Sequence, residues 1–295
     1  GQKGPQGKAV SRMKRSPQFG FRTGSLRQAS TERAAVELAR MGYDCLELCL
    51  EAADVRPDEM TEAHARALRQ RFDDLGIGLA SLSYHADREP PAERAANQAS
   101  AIRVAQWMGG EILILNGERS IDRERQWAEH VDRLGKLCEL AEAAGVTLAI
   151  EPEPLLVIGS SQEGLDMVEA VGSPALKINL DMGHAAITDD DVAASIRALG
   201  PAIAHLHFED IAGRVHRHLP FGAGDIDFGS IRQALDEIGY SGPYVVDLFG
   251  QDVGWVEPGD LSRPSDAARA AAQPHVVCHA PPEGRHPRRP RSQRP

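Results

Sequence analysis

The sequence predicts a single α/β domain closed as an eight-stranded (β/α)8 TIM barrel. Three observations carry this. Short aliphatic runs alternate with longer segments of helical period over roughly 250 residues, as eight βα units require. The ends of those runs fall at 22, 50, 83, 116, 151, 181, 208 and 248, spaced by 27 to 40 residues. Finally, the segment after the first run, Phe19-Gly20-Phe21-Arg22-Thr23-Gly24-Ser25, lacks the Gly-rich phosphate loop expected of a doubly wound open sheet.

In chain order, the strand candidates are 18–22, 45–50, 78–83, 112–116, 146–151, 176–181, 202–208 and 244–248. The clearest helix candidates are 30–42, 57–75, 91–109, 121–145, 161–172 and 228–238. Within 121–145, Trp127, Val131, Leu134, Leu137, Cys138 and Ala141 recur at three- and four-residue spacings, which makes one apolar face. Gly42, Gly76, Gly145 and Gly239 each close a helical run ahead of a strand. The eighth helix is the weakest element, with only Ser265 to Gln273 helical in pattern. Residues 1–15 are expected to form a disordered extension, 16–273 the catalytic barrel, and 274–295 a disordered tail rich in Arg and Pro.

Composition narrows the function. The net charge is −10, but the two ends hold ten of the 33 basic residues, leaving 23 against all 43 acids between 16 and 284. So acidic a body repels a phosphate backbone, and no nucleic-acid partner is expected. No run nears the roughly 18 apolar residues of a membrane span. The basic N-terminal residues are not followed by an apolar stretch, so no secretory signal is expected. The four cysteines do not make a disulfide framework, and a cytoplasmic, reducing location is expected.

Barrel enzymes carry their reactive groups at the C-terminal ends of strands, and here those ends are polar. Side chains alternate along a strand, so Ala149 and Glu151 share a face, as do Asn179 and Asp181, His205 and His207, and Val245 and Asp247. Leu148, Ile150, Leu180, Leu206 and Val246 take the opposite face, toward the helices. Glu151, Asp181, His207 and Asp247 are thereby aimed into one barrel mouth. Three carboxylates in one dry site need a counter-charge. A divalent cation supplies it, and three oxygen donors with one imidazole suit Mn²⁺, Mg²⁺, Co²⁺ or Zn²⁺. Singly, each would be better read as a capped strand end.

Beyond single strands, an ordered set of motifs runs along residues 18–250. It comprises Leu46-Glu47-Leu48, Glu151-Pro152, Asp181-x-x-His184, His205-Leu-His207-x-x-Asp210, Arg217-His218, Gly222-x-Gly224-x-Ile226-Asp227 and Tyr240-x-Gly242. In this set the chain resembles the xylose isomerase-like barrels, which include sugar isomerases and epimerases and metal-dependent apurinic-site endonucleases. The resemblance implies Glu151, Asp181, His207 and Asp247 as metal ligands. The family usually carries Glu where this chain has Asp247, one methylene shorter.

The resemblance further implies a metal-dependent sugar isomerase or epimerase, with dehydration of an inosose-like ketone as a variant. Glu151 would be the first proton-transfer group and Asp247 the second. His85, His184, His216, Arg217 and His218 are candidates for substrate contact. The last three lie in the long loop before helix candidate 228–238, and loops that long in a compact barrel are usually functional. His205 is expected to be a buried structural histidine, and Cys45 and Cys49 small core residues. Glu47 is an inward acid that needs a partner. The expected partner is a small carbohydrate, with no membrane, and a homo-oligomer is left open. An apurinic-site endonuclease is the second reading, weakened by Asn116 and His216 where those enzymes carry His and Asp. A barrel that binds sugar without turnover is the third.

Overall fold

The computed structural model describes residues 17–26, 29–86 and 89–248. Both expected tails and the candidate eighth helix lie outside these residues. Eight parallel strands close in sequence order: β1 (Phe19–Arg22), β2 (Cys45–Cys49), β3 (Gly78–Ser83), β4 (Ile112–Asn116), β5 (Thr147–Glu151), β6 (Leu176–Asp181), β7 (Ile203–Phe208) and β8 (Tyr244–Val246). Closure is made by β1 on β8, with Phe19, Gly20 and Phe21 opposite Tyr244, Val245 and Val246. The last strand is shorter than its candidate 244–248. Asp247 nevertheless stays in line, because its N–H donates to the Phe208 carbonyl at 3.1 Å.

The helices are α1 (Thr31–Met41), α2 (Glu62–Leu75), α3 (Pro91–Met108), α4 (Arg123–Ala144), α5 (Ser161–Val171), α6 (Met182–Thr188), α7 (Val192–Leu199) and α8 (Phe228–Ile238). The four glycine stops are left-handed, with φ between 69° and 89°, which a side chain would resist. Helix α2 starts five residues later than 57–75 suggests. The Thr61 hydroxyl accepts from the His64 N–H and caps the helix there, while Glu59 and Met60 turn back onto the Arg56 carbonyl.

Strand alternation divides the interior in two. Leu46, Leu48, Leu113, Leu115, Leu148, Ile150, Leu180, Leu206 and Val246 pack outward under the helices in one apolar cluster. Inside the barrel the layers are small or polar. A Cβ on Gly20 would stand 2.9 Å from the Cys45 sulfur and 3.1 Å from Val245, so only glycine fits that floor. Above it, Glu47, Ser81, Ser83, Asn116, Glu151, Asn179, His205 and His207 are all at most 1% exposed. Burying so many polar groups is costly unless they bond one another, and the mouth is built on such bonds.

Candidate active site

Glu151 ends β5 and Asp181 ends β6. Asp181 also caps α6, since its Oδ1 accepts from the His184 N–H at 2.7 Å, and this turns the carboxylate toward the barrel axis. His207 stands on β7 with Nδ1 3.5 Å from Glu151 and 3.9 Å from Asp181. Ligand atoms of Asp181, His207 and Asp247 lie within 4.8 Å of one another, and so do those of Glu151, Asp181 and His184. The two groups share Asp181, so Glu151, Asp181, His207 and Asp247 lie in one buried cluster together with His184.

Glu47 has its partner here. Its carboxylate accepts from Arg22 Nε at 3.0 Å, from the Ser81 hydroxyl at 3.0 Å and from His207 Nε2 at 2.7 Å. With the ring hydrogen on Nε2, the Nδ1 lone pair of His207 faces Glu151 and Asp181. A carboxylate holding the far nitrogen is how metal-ligating histidines are oriented. Burial opposes a charged imidazole, yet Glu47 and Glu151 on either side raise His207 well above its ordinary value. A field that holds a proton so firmly also favours a divalent cation in its place.

Glu151 is flanked by Asn179 Nδ2 at 3.0 Å, His85 Nε2 at 3.3 Å and His184 Nδ1 at 3.5 Å. Burial alone would push its carboxyl up, but His207 and His85 hold it well below the usual range, so it stands ionised. Burial likewise works to lower His85, and Glu151 beside it lifts that imidazole to about 9. Asp247 accepts from the Ser25 hydroxyl at 3.0 Å and from Arg22 Nη1 at 3.4 Å. His218 donates from Nδ1 to the Asp247 carbonyl at 2.9 Å. His184 donates from Nδ1 to the Pro152 carbonyl and places Nε2 3.0 Å from that of His216.

A cavity of about 590 Å³ opens from this cluster along the ends of β1 to β3, large enough for a small sugar. His85, His184, His216 and His218 all line it. Arg217 does not: it is exposed. His216 is exposed as well but reaches the edge of the cavity, and the chain turns there, with the Arg217 N–H donating to the Val215 carbonyl at 2.7 Å, before His218 is buried. His205 is fully buried, bonded to Asn179 at 2.8 Å and to Ser81 at 3.0 Å. Cys45 and Cys49 are buried free thiols. Asn116 is committed elsewhere, accepting from Arg94 and donating to Glu153 at 3.2 Å, so it offers no ligand of the kind the endonuclease reading needs.

Sequence reasoning passed over two residues. Arg22 ends β1 as Glu151 ends β5, and it ties Glu47 to Asp247. Glu209 continues the inward series of His205 and His207. Both oxygens of Glu209 and the Oδ2 of Asp181 are buried with no partner donor assigned among the described residues, while the Asp181, Glu209 and His218 ligand atoms lie within 4.8 Å of one another. Burial and then the Asp181 charge push the Glu209 carboxyl well above its usual range. Five buried acids (Glu47, Glu151, Asp181, Glu209 and Asp247) thus crowd the mouth, where Arg22 bonds Glu47 and Asp247 and the imidazoles of His85 and His207 stand against Glu151. Orphaned carboxylate oxygens and a pre-oriented imidazole fit a divalent cation.

Residues 35–273 match the family model of the xylose isomerase-like TIM barrel. The chain belongs to this family. Among the curated xylose isomerase-like relatives, an L-ribulose 3-epimerase of Mesorhizobium japonicum is 28% identical over 77% of this chain and 78% of its own length. An L-ribulose-5-phosphate 3-epimerase of Escherichia coli is 26% identical over 73% and 81%. The solved D-psicose 3-epimerase of Clostridium cellulolyticum H10 superposes with a TM-score of 0.70 at 21% identity, covering 86% of this chain and 96% of that one. This last is a likeness of fold.

Proposed function

We propose that this xylose isomerase-like barrel is a divalent-metal-dependent ketose 3-epimerase. The observation that carries the reading is the pair of buried carboxylates, Glu151 from β5 and Asp247 from beyond β8, that approach the Asp181–His207 pair from different strands. Glu151, Asp181, His207 and Asp247 would hold the cation. When bound there, it would polarise the ketose carbonyl and so acidify the neighbouring C3–H.

The side chains then divide the work. Glu151, held ionised, takes the C3 proton, and the C–H electron pair moves into the C2–C3 bond as the carbonyl oxygen gains charge. Asp247, having taken a proton from solvent, would return it to the other face and so invert C3, while Glu151 gives the abstracted proton back to solvent. His85 sits against Glu151, positioned to steady its charge, while His184, His216 and His218 meet substrate hydroxyls. The shorter arm of Asp247 is steadied by Ser25 and Arg22. The buried free thiols go with a cytoplasmic setting.

The test is a panel of ketopentoses and ketohexoses with Mn²⁺ or Co²⁺, read by NMR. The C3 epimer should form, chelation should stop it, and Asp181→Asn should lose both metal and turnover while keeping its circular dichroism. An aldose or a dehydrated product in place of the epimer would reassign the reaction.

A further inference from the structure

We infer that Arg22 is a positioning residue for the metal group: one rigid guanidinium aligns two of the candidate ligands, His207 through Glu47 and Asp247 directly. The inference deepens the epimerase reading and rests on it for the cation.

The placement follows from how the barrel closes. Strand β1 lies between β8 and β2, so a side chain at its end has a neighbour on each side. Arg22 stands in register with Glu47 of β2. On the other side Phe21 is paired with Val246 of β8, and the next residue of each chain is Arg22 and Asp247. The guanidinium Nε donates to Glu47 Oε1 at 3.0 Å and to the Ser83 hydroxyl at 3.3 Å, while Nη1 donates to Asp247 Oδ2 at 3.4 Å. Glu47 carries the first contact onward to His207 Nε2 at 2.7 Å. The other oxygen of Asp247 accepts from Ser25, whose hydroxyl is itself fixed as the acceptor of the Leu248 N–H at 3.2 Å. Gly24 leaves room for the plane, since a Cβ there would stand 3.2 Å from Arg22 Cζ and 2.9 Å from the Cys49 sulfur.

Charge and geometry predict opposite effects on a bound cation. A positive group near the ligands repels a divalent ion, so as a bare charge Arg22 would weaken metal binding. That repulsion is largely cancelled, because the same guanidinium is paired with two carboxylates. The alignment it gives has no such offset, and outer contacts that orient ligands are worth about 10- to 100-fold in metal affinity. A lysine keeps the charge but is a single point, without a plane that reaches both acids from different atoms.

The experiment titrates Mn²⁺ into the full-length chain by calorimetry. Arg22→Lys should bind Mn²⁺ on the order of 100-fold more weakly with unchanged circular dichroism. On a Glu47→Gln or an Asp247→Ala background the same substitution should cost only about 10-fold, because one arm no longer reaches its ligand. Gly24→Ala crowds the guanidinium without removing it and should weaken Mn²⁺ about 10-fold, which carries the test if Arg22→Lys does not fold. Unchanged affinity in either folded variant, or the full 100-fold loss on either background, overturns the inference and leaves the epimerase reading standing. Mn²⁺ binding without a C3 epimer from any ketose defeats the epimerase reading, and the same titrations still decide the role of Arg22. A wild-type chain that binds neither Mn²⁺ nor Co²⁺ overturns both.

Discussion

Glu47 lies behind the candidate metal ligands and touches none of the space a substrate would occupy, yet it sets the tautomer of His207. Replacing it with glutamine removes the charge that holds the His207 Nε2–H, while the amide keeps the volume. Glu47→Gln should weaken Mn²⁺ or Co²⁺ binding by about 10- to 100-fold, measured by titration calorimetry, with the barrel still folded. Undiminished affinity would show that His207 needs no such support. The strand pattern exposed Glu47 as an inward acid but gave no sign of its partner. His207 lies 160 residues away in sequence on a strand across the barrel, and stagger around a closed sheet is a property of three dimensions. Glu209 and Arg22 were legible by the same alternation that exposed His207, since each extends an inward series by one step.

At the scale of elements, the loop between β7 and α8 carries His216 and His218 and hangs on one side chain. Asp210 is buried and accepts from the N–H groups of Gly222, Gly224 and Ile226 at 2.9, 2.8 and 3.2 Å. A Cβ on Gly224 would collide with Asp210 and the Ile211 carbonyl, which accounts for glycine there. Asp210→Asn turns an acceptor toward a donor against those N–H groups. It should cost about 1–3 kcal/mol in urea unfolding and raise KM about tenfold, with kcat less affected. An unchanged KM would separate the loop from substrate. The motif around Gly222 and Gly224 marked this loop in the sequence. The exposure of both His216 and Arg217 was not marked, because it depends on where the loop is pinned.

For the whole molecule, the sequence showed the closed barrel because hydrophobic period and glycine stops repeat in every unit. The interior charge balance became visible only with all eight strands assembled. That balance governs pH behaviour. Burial holds His130 and His205 neutral down to about 4, whereas an unfolded imidazole protonates near 6.5. Between those values the unfolded chain binds more protons, so stability falls as pH drops from about 6.5 toward 4. His130 lies on α4 outside the cavity lining, with Nδ1 2.8 Å from the Gln126 carbonyl, so it isolates this effect. The destabilisation caused by His130→Gln at pH 7 should shrink by about 2 kcal/mol at pH 4.5 in urea unfolding; a pH-independent difference would contradict the buried neutral state. The most direct measurement of the whole assembly is NMR of a ketose incubated in deuterium oxide with the Mn²⁺-loaded chain. If Glu151 and Asp247 work on the two faces of C3, deuterium should enter at C3 as the C3 epimer accumulates, with metal removal stopping both. Epimer formed without deuterium at C3, or deuterium entering only at C1, would contradict proton transfer at C3 through these carboxylates.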